Sequence, residues 1–357
     1  MKTYIQFIII SFLKSFLNIL LVMIALVLIL NILQEIEFFN SKDVNSIFPL
    51  YLASMNTPTI IFEMFPFIFL ISTQFFFIKL FSNNEINIFK YFGLKNLKII
   101  SILSLVSFVL GILIIIFFYN LSSNLQSYYL EIKNQYSKDN SHLAVINKNG
   151  LWIKDIKNNE ISIINSSKID KNFLTETFIT TFDKDYNLLR NIESNKVDIK
   201  NNRWLIHNAS IFEENTSKKT KLYEFDTNFN QKRIESLFSN LSSLSIINLI
   251  DLRKNYKLIN YSTVDVNLQL SKILTYPIYL MLMTILSSII MFNTKSFKSN
   301  ALKIVIGLFF SVILYYLSNF FNIMGTTEKI PLITAIIFPF ILLFIINSLM
   351  LVKINDK

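Results

Sequence analysis

The feature that most constrains this chain is the position of its one long polar stretch, about Gln126 to Asp265, between two sets of three apolar runs. The runs before it are Phe7 to Leu33, Ile60 to Leu80 and Ile99 to Tyr119; those after it are Ile273 to Phe292, Ala301 to Phe321 and Leu332 to Val352. About 20 apolar residues cross a ~30 Å hydrocarbon core as a helix, so each run is long enough to span. With 52% hydrophobic residues and mean hydropathy +0.47, the chain reads as an integral membrane protein. The first run exceeds a signal-peptide apolar region and is followed by Gln34-Glu35-Ile36-Glu37 without a small-residue cleavage site, so an uncleaved first span is expected. Pro58 introduces the second run and Pro66 lies near its beginning, and Pro277 and Pro339 are compatible with spanning helices whose freed backbone groups neighbouring helices support. Three parts result: spans one to three in 1–125, a polar domain in 126–265, and spans four to six in 266–357.

Inside the polar block the pattern is that of strands. Leu143 to Ile146 and Leu151 to Lys154 flank Asn147-Lys148-Asn149-Gly150, and Asn-Gly is a strong hairpin signal. Turn signals recur before Glu160 to Ile164, after Thr177 to Phe182 and before Trp204 to His207, so about eight short strands and a sandwich or open barrel are expected. Alternation places Leu151 and Ile153 on one face and Trp152 on the other. After Phe225, Ser245 to Ile259 reads as a helix with Ile246, Leu249, Ile250 and Leu252 on its apolar side. The fold class is therefore a six-helix membrane protein with an inserted all-β domain.

The net charge of +10 invites a nucleic-acid reading, but many lysines sit beside the spans, where they set topology. Lys90, Lys95 and Lys98 between spans two and three, and Lys295 and Lys298 between spans four and five, mark cytoplasmic loops. Both termini are then expected in the cytoplasm and the polar block outside. Catalytic chemistry has little to work with. There is no Cys, and the two histidines, His142 and His207, are in the polar block without a His-Glu-x-x-His motif. No metal site is expected. The five glycines form no Gly-x-x-x-x-Gly-Lys-Ser/Thr loop, so the chain has no P-loop of its own. Glu63 is the one acidic residue clearly inside a span. A carboxylate at the bilayer centre costs on the order of 3 kcal/mol and less near the outer end, so Glu63 is either interfacial or part of a polar cavity or helix contact.

Local matches carry a family resemblance over essentially the whole chain. They are Pro58 with Pro66 entering span two; Asn84-Glu85-Ile86 followed by Gly93; Asn149-Gly150-Leu151-Trp152-Ile153-Lys154-Asp155; Arg203-Trp204-Leu205; and Ile330-Pro331 followed by Ala335 and Pro339. These resemble the lipopolysaccharide-export (Lpt) permeases of LptF/LptG type, with the hairpin and the start of span six more like the LptG subunit. The resemblance implies a periplasmic β-jellyroll-like domain in a multi-pass inner-membrane protein. It also implies a non-catalytic subunit of an ABC transporter that extracts lipopolysaccharide and passes it to a periplasmic bridge. The implied partners are a homologous F-type permease, a dimeric LptB-type ATPase that uses the ATP and Mg, and LptC/LptA-type jellyroll proteins, with no cofactor bound by this chain and no nucleic acid. A membrane-embedded glycan- or lipid-modifying enzyme and a non-transporting scaffold are the competing classes.

Two sets of site residues follow. The stretch 82–95 is expected to form the helix that couples to the ATPase. Ser82 would cap it, Glu85 would stand in capping-box position, Ile86, Phe89 and the stem of Lys90 would form its apolar patch, and Gly93 would end it. Lipid contacts are expected at Leu151 and Ile153, at Glu63, and at Lys42. The last is the nearest cation to the end of span one, where 31–38 carries Glu35 and Glu37 instead of the basic residues frequent in G-type members.

Overall fold

The computed structural model describes residues 3–40, 42, 44–136, 151–157, 159–170, 172–213, 216–231, 234, 240–258, 262–297 and 299–355. The first strand of the expected hairpin, its Asn-Gly turn and His142 lie outside these residues. The chain divides into a membrane unit and a β unit.

In the membrane unit, α1 (Thr3–Phe39) and α2 (Phe48–Ser82) are followed by the short α3 (Glu85–Tyr91). Next come α4 (Asn96–Leu113), one π-helical turn over Ile114–Tyr119, and α5 (Asn120–Gln135), which continue one another. After the β unit and α6 (Ile246–Leu258) the chain re-enters with α7 (Val264–Asn293), α8 (Asn300–Thr326) and α9 (Leu332–Asn355). Six helical segments among the described residues are long and apolar enough to cross a membrane.

Several helices outrun the apolar runs that announce them. α2 starts at Phe48 rather than near Ile60, because its polar first turns are satisfied by neighbours. Thr57 donates to the Ala53 carbonyl at 2.7 Å and accepts from Asn31 Nδ2 of α1 at 3.2 Å, while Asn56 donates to Asn31 Oδ1 at 3.3 Å. The third span likewise does not stop at Tyr119; the π turn passes directly into α5.

Aromatic packing forms the core of this unit. Phe16 of α1 and Phe69 of α2 lie 4.9 Å apart, Phe65 meets Phe118 at 5.2 Å, and Phe77 meets Phe292 at 5.0 Å. Glycines mark close helix crossings. A Cβ on Gly111 would stand 2.8 Å from the Pro277 Cα in α7, and one on Gly307 would stand 2.1 Å from the Gln74 amide, which donates to the Lys303 carbonyl.

The β unit holds six strands among its described residues: β1 (Leu151–Lys157), β2 (Glu160–Asp170), β3 (Phe173–Phe182), β4 (Leu188–Asp198), β5 (Arg203–Glu213) and β6 (Thr216–Asp226). Each pairs antiparallel with the next in one sheet. They are longer than the short runs expected from turn spacing, because polar residues continue the ladder, some of them inside it: buried Ser162 and Thr181 hydrogen-bond each other across β2 and β3, as do buried Ser166 and Thr177. One row across the sheet is Ile153, Ile164, Ile179, Ile192 and Ile211, each opposite the next and each buried.

A single sheet buries such a row only by curling around it, and the contacts between its two edges show that curl. Lys157 of β1 pairs with Asp226 of β6 at 2.8 Å. Hydrogen bonding from Lys157 holds the Asp226 carboxyl below the usual carboxylate range. Buried Asp155 accepts from Thr227 Oγ1 at 2.5 Å, Asn228 N at 3.0 Å and Asn228 Nδ2 at 2.8 Å, fastening the segment after β6 to β1. Trp204, fully buried, donates its indole N–H to the Phe229 carbonyl at 2.8 Å.

The helix expected at 245–259 is present as α6, with Ser245 accepting from the Asn248 amide at its start. Its buried side is Leu249, Leu252 and Tyr256. Ile250, expected on that side, is 42% exposed, because burial follows the i, i+3, i+7 line and Ile250 lies off it.

Candidate functional site

A cavity of about 310 Å³ lies within the membrane unit. α2 contributes Thr59, Phe62 and Glu63, and the π turn contributes Tyr119. Gln269, Lys272 and Tyr276 of α7 face it, Ser318, Asn319 and Asn322 come from α8, and Ala335 and Pro339 from α9. A carboxyl and an amine, Glu63 and Lys272, line the same cavity. Lys272 was missed in the sequence because the apolar run of span four begins one residue later, whereas α7 starts at Val264. Glu63 is thus in a polar cavity with a basic neighbour, the second of the two environments open to it.

The cavity sits where the helices are irregular, and the irregularities have covalent causes. A proline at position i lacks the N–H that would bond the carbonyl of residue i−4. Pro66, Pro277 and Pro339 therefore release the carbonyls of Phe62, Ile273 and Ala335, and all three of those residues border the cavity. The Tyr276 hydroxyl donates to the Phe62 carbonyl, restoring from α7 the bond that Pro66 removes from α2. Tyr119, whose ring lies 5.0 Å from that of Phe62, closes the π turn and donates to the Leu244 carbonyl at 2.9 Å. Single π turns inside α-helices recur at functional sites.

The expected coupling helix exists as α3, with corrected details. Ser82 is not its cap: it is the last residue of α2 and its hydroxyl donates back to the Lys79 carbonyl at 3.0 Å. Asn84, in the left-handed region at φ 56°, occupies the N-cap position without a side-chain capping bond, and Glu85 accepts from Asn83 Nδ2 at 3.1 Å. Gly93, at φ 75°, follows the helix end as expected. Ile86 and Phe89 do lie on one face, but that face turns inward: Ile86 is buried, and Phe89 packs edge-on to Phe7 of α1 at 6.0 Å. The exposed apolar surface here is Ile88, Tyr91 and Phe92, the last two at 87% and 78% exposure, and Lys90 is also exposed.

Lys42 lies over the Phe38 ring, 3.2 Å from its centroid. Glu35 is buried inside α1 and accepts from the Tyr129 hydroxyl at 2.7 Å, so it is a helix-packing residue and not part of an exposed acidic mouth. Leu151 and Ile153 are buried in the β unit's core while Trp152 is 61% exposed, matching the expected alternation. The cavity and the β unit thus hold separate subsets of the expected site residues. Among the described residues no cluster of His, Cys, Asp and Glu has the makings of a metal site.

Six spans with an all-β domain inserted between the third and fourth define a multi-pass membrane protein. The family model described as lipopolysaccharide export system permease LptF/LptG matches residues 6–353, nearly the whole chain. The chain belongs to that family, which makes it an inner-membrane permease component of an Lpt ABC transporter. No curated protein matches it in a direct comparison.

Proposed function

We propose that this chain is one half-permease, of the G type, in a transporter that extracts lipopolysaccharide from the inner membrane and delivers it to a periplasmic bridge. In this reading the termini and α3 face the cytoplasm and the β unit faces the periplasm, following the lysine distribution in the short loops. A homologous F-type chain completes the membrane cavity, an LptB-type ATPase dimer supplies the work using ATP and Mg, and LptC/LptA-type proteins receive the lipid. The chain itself carries out no chemical step and binds no cofactor. The observation that carries the reading is α3. A short helix between the second and third spans and the residue that caps its end leave Tyr91 and Phe92 largely exposed, on a chain without a P-loop. Large exposed aromatics beside a membrane surface mark a protein contact when the chain must receive work from outside itself.

The buried face that includes Leu151, Ile153 and Ile164 supplies an apolar lining that acyl chains can enter if the curled sheet opens. Affinity purification of the chain from native membranes, with identification of copurifying proteins and lipid, tests the assignment. An ATPase and a second permease together with lipopolysaccharide are the expected companions. A chain that purifies without any ATPase, in membranes where an Lpt ATPase is present, would overturn it.

A further inference from the structure

The intramembrane cavity carries an inference that goes beyond the export reading. Its lining includes the Glu63 carboxyl and two residues, Ile273 and Ala335, whose carbonyls Pro277 and Pro339 deprive of their helical amides. Lys272 presents the opposite charge, and the Asn319 and Asn322 amides can donate or accept. A lone anion there would meet Glu63, and a lone cation would meet Lys272. A ligand carrying both charges satisfies both. The volume of about 310 Å³ is space left over with the Lys272 side chain already in place, so Lys272 does not itself fill the site. That size lies at the lower end of the ~300–1,000 Å³ typical of small-molecule sites, enough for a headgroup and not for a whole lipid. The rings of Phe62 and Tyr276, stacked 4.7 Å apart, add an aromatic wall at which an ammonium is favoured.

We propose that this cavity binds an amphiphile headgroup in which a primary ammonium is tethered to a phosphodiester. The ammonium sits at Glu63 and the freed carbonyls, and the phosphodiester at Lys272 with the asparagine amides. Two sources offer this chemistry: phosphatidylethanolamine of the bilayer, and an exported lipid A decorated with phosphoethanolamine.

The test uses the full chain purified together with its copurifying partners, in nanodiscs of phosphatidylglycerol. They are doped with a phosphatidylethanolamine whose headgroup region carries a photoreactive diazirine, and labelled peptides are mapped by mass spectrometry. The expected result is labelling within 269–279 or 315–322. Glu63→Gln should lower it by at least about fivefold, the scale of one lost charge-assisted hydrogen bond, and should not lower labelling by a matched phosphatidylglycerol probe. Lys272→Met should lower labelling by both probes. Competition by unlabelled phosphatidylethanolamine assigns the site to the bilayer lipid, and competition by phosphoethanolamine-lipid A alone assigns it to the cargo. Labelling elsewhere only, labelling indifferent to both substitutions, or competition by neither lipid overturns the proposal. ATPase content is measured in the same preparations. Loss of the ATPase with labelling intact would count against the export reading and leave this one standing.

Discussion

At the scale of single residues, two side chains repair defects that the backbone creates. Tyr276 supplies the donor that Pro66 withholds from the Phe62 carbonyl, so its hydroxyl is valuable only while residue 66 is proline. Intramembrane hydrogen bonds contribute about 0.6 kcal/mol on average and up to about 1.7 kcal/mol. Tyr276→Phe should therefore cost about 1 kcal/mol in the natural chain and close to nothing in a Pro66→Ala background, where an amide is present. A double-mutant cycle followed by unfolding in mixed detergent micelles measures the coupling, and additive effects would show that the two groups do not act together. Asp155 performs a similar service in the β unit, where its three bonds hold Thr227 and Asn228. Removing a buried carboxylate that satisfies three donors should cost about 3 kcal/mol, whereas Trp152→Ala next to Ile153 should stay within about 0.5 kcal/mol. Protease resistance of the β unit in the intact chain distinguishes the two. Of this scale, the sequence makes the alternation around Trp152 legible, because strand periodicity is local. It conceals Lys272 and the use of Tyr276, because the cavity is assembled from α2, the π turn, α7, α8 and α9, whose contributions are far apart along the chain.

At the scale of elements, α3 illustrates how a correct period can yield the wrong surface. The i, i+3 spacing of Ile86 and Phe89 does identify one helix face, yet an apolar face finds the nearest apolar partner, and Phe7 with the core under α2 is closer than any second protein. What is left for a partner is the opposite side and the helix end, where Ile88, Tyr91 and Phe92 remain exposed. Tyr91→Ala with Phe92→Ala should therefore reduce ATPase retention by tenfold or more on affinity-purified permease, since interface aromatics commonly contribute about 2 kcal/mol or more. The amount and thermal stability of the inserted chain should not change. Ile86→Ala should do the reverse in its first effect, lowering thermal stability through a packing defect before any loss of docking. Equal retention by the double variant and the natural chain would remove α3 from the interface. The helical spans were legible as apolar runs, but their true ends were not. Asn31, Asn56 and Thr57 look like loop residues until α1 and α2 lie side by side and satisfy one another.

At the scale of the whole molecule, the six spans are unequally covered. The most apolar windows of α2 and α7 are each 61% buried within the chain, while those of α1 and α8 are only 17% buried. α1 leaves Leu26, Ile29 and Leu33 exposed, and α8 leaves Tyr316 and Phe320. Such faces are covered in the membrane either by lipid or by another protein, and the two environments differ in water. If two half-permeases enclose an outward cavity, some of these positions border that cavity and see water, although they are apolar. The thiolate, not the thiol, reacts with maleimides, and it forms where water reaches the sulfur. The natural chain has no cysteine, so each introduced thiol reports alone. Leu26→Cys, Ile29→Cys, Leu33→Cys, Tyr316→Cys and Phe320→Cys should include positions that a membrane-impermeant maleimide labels rapidly in the assembled complex. Ile341→Cys and Phe344→Cys, on exposed α9 positions without a proposed role in the cavity, should remain slow. Occupying the cavity with lipopolysaccharide should slow the reactive positions and leave the α9 pair unaffected. Uniformly slow labelling of α1, α8 and α9 would place all three faces in lipid and put the shared cavity elsewhere.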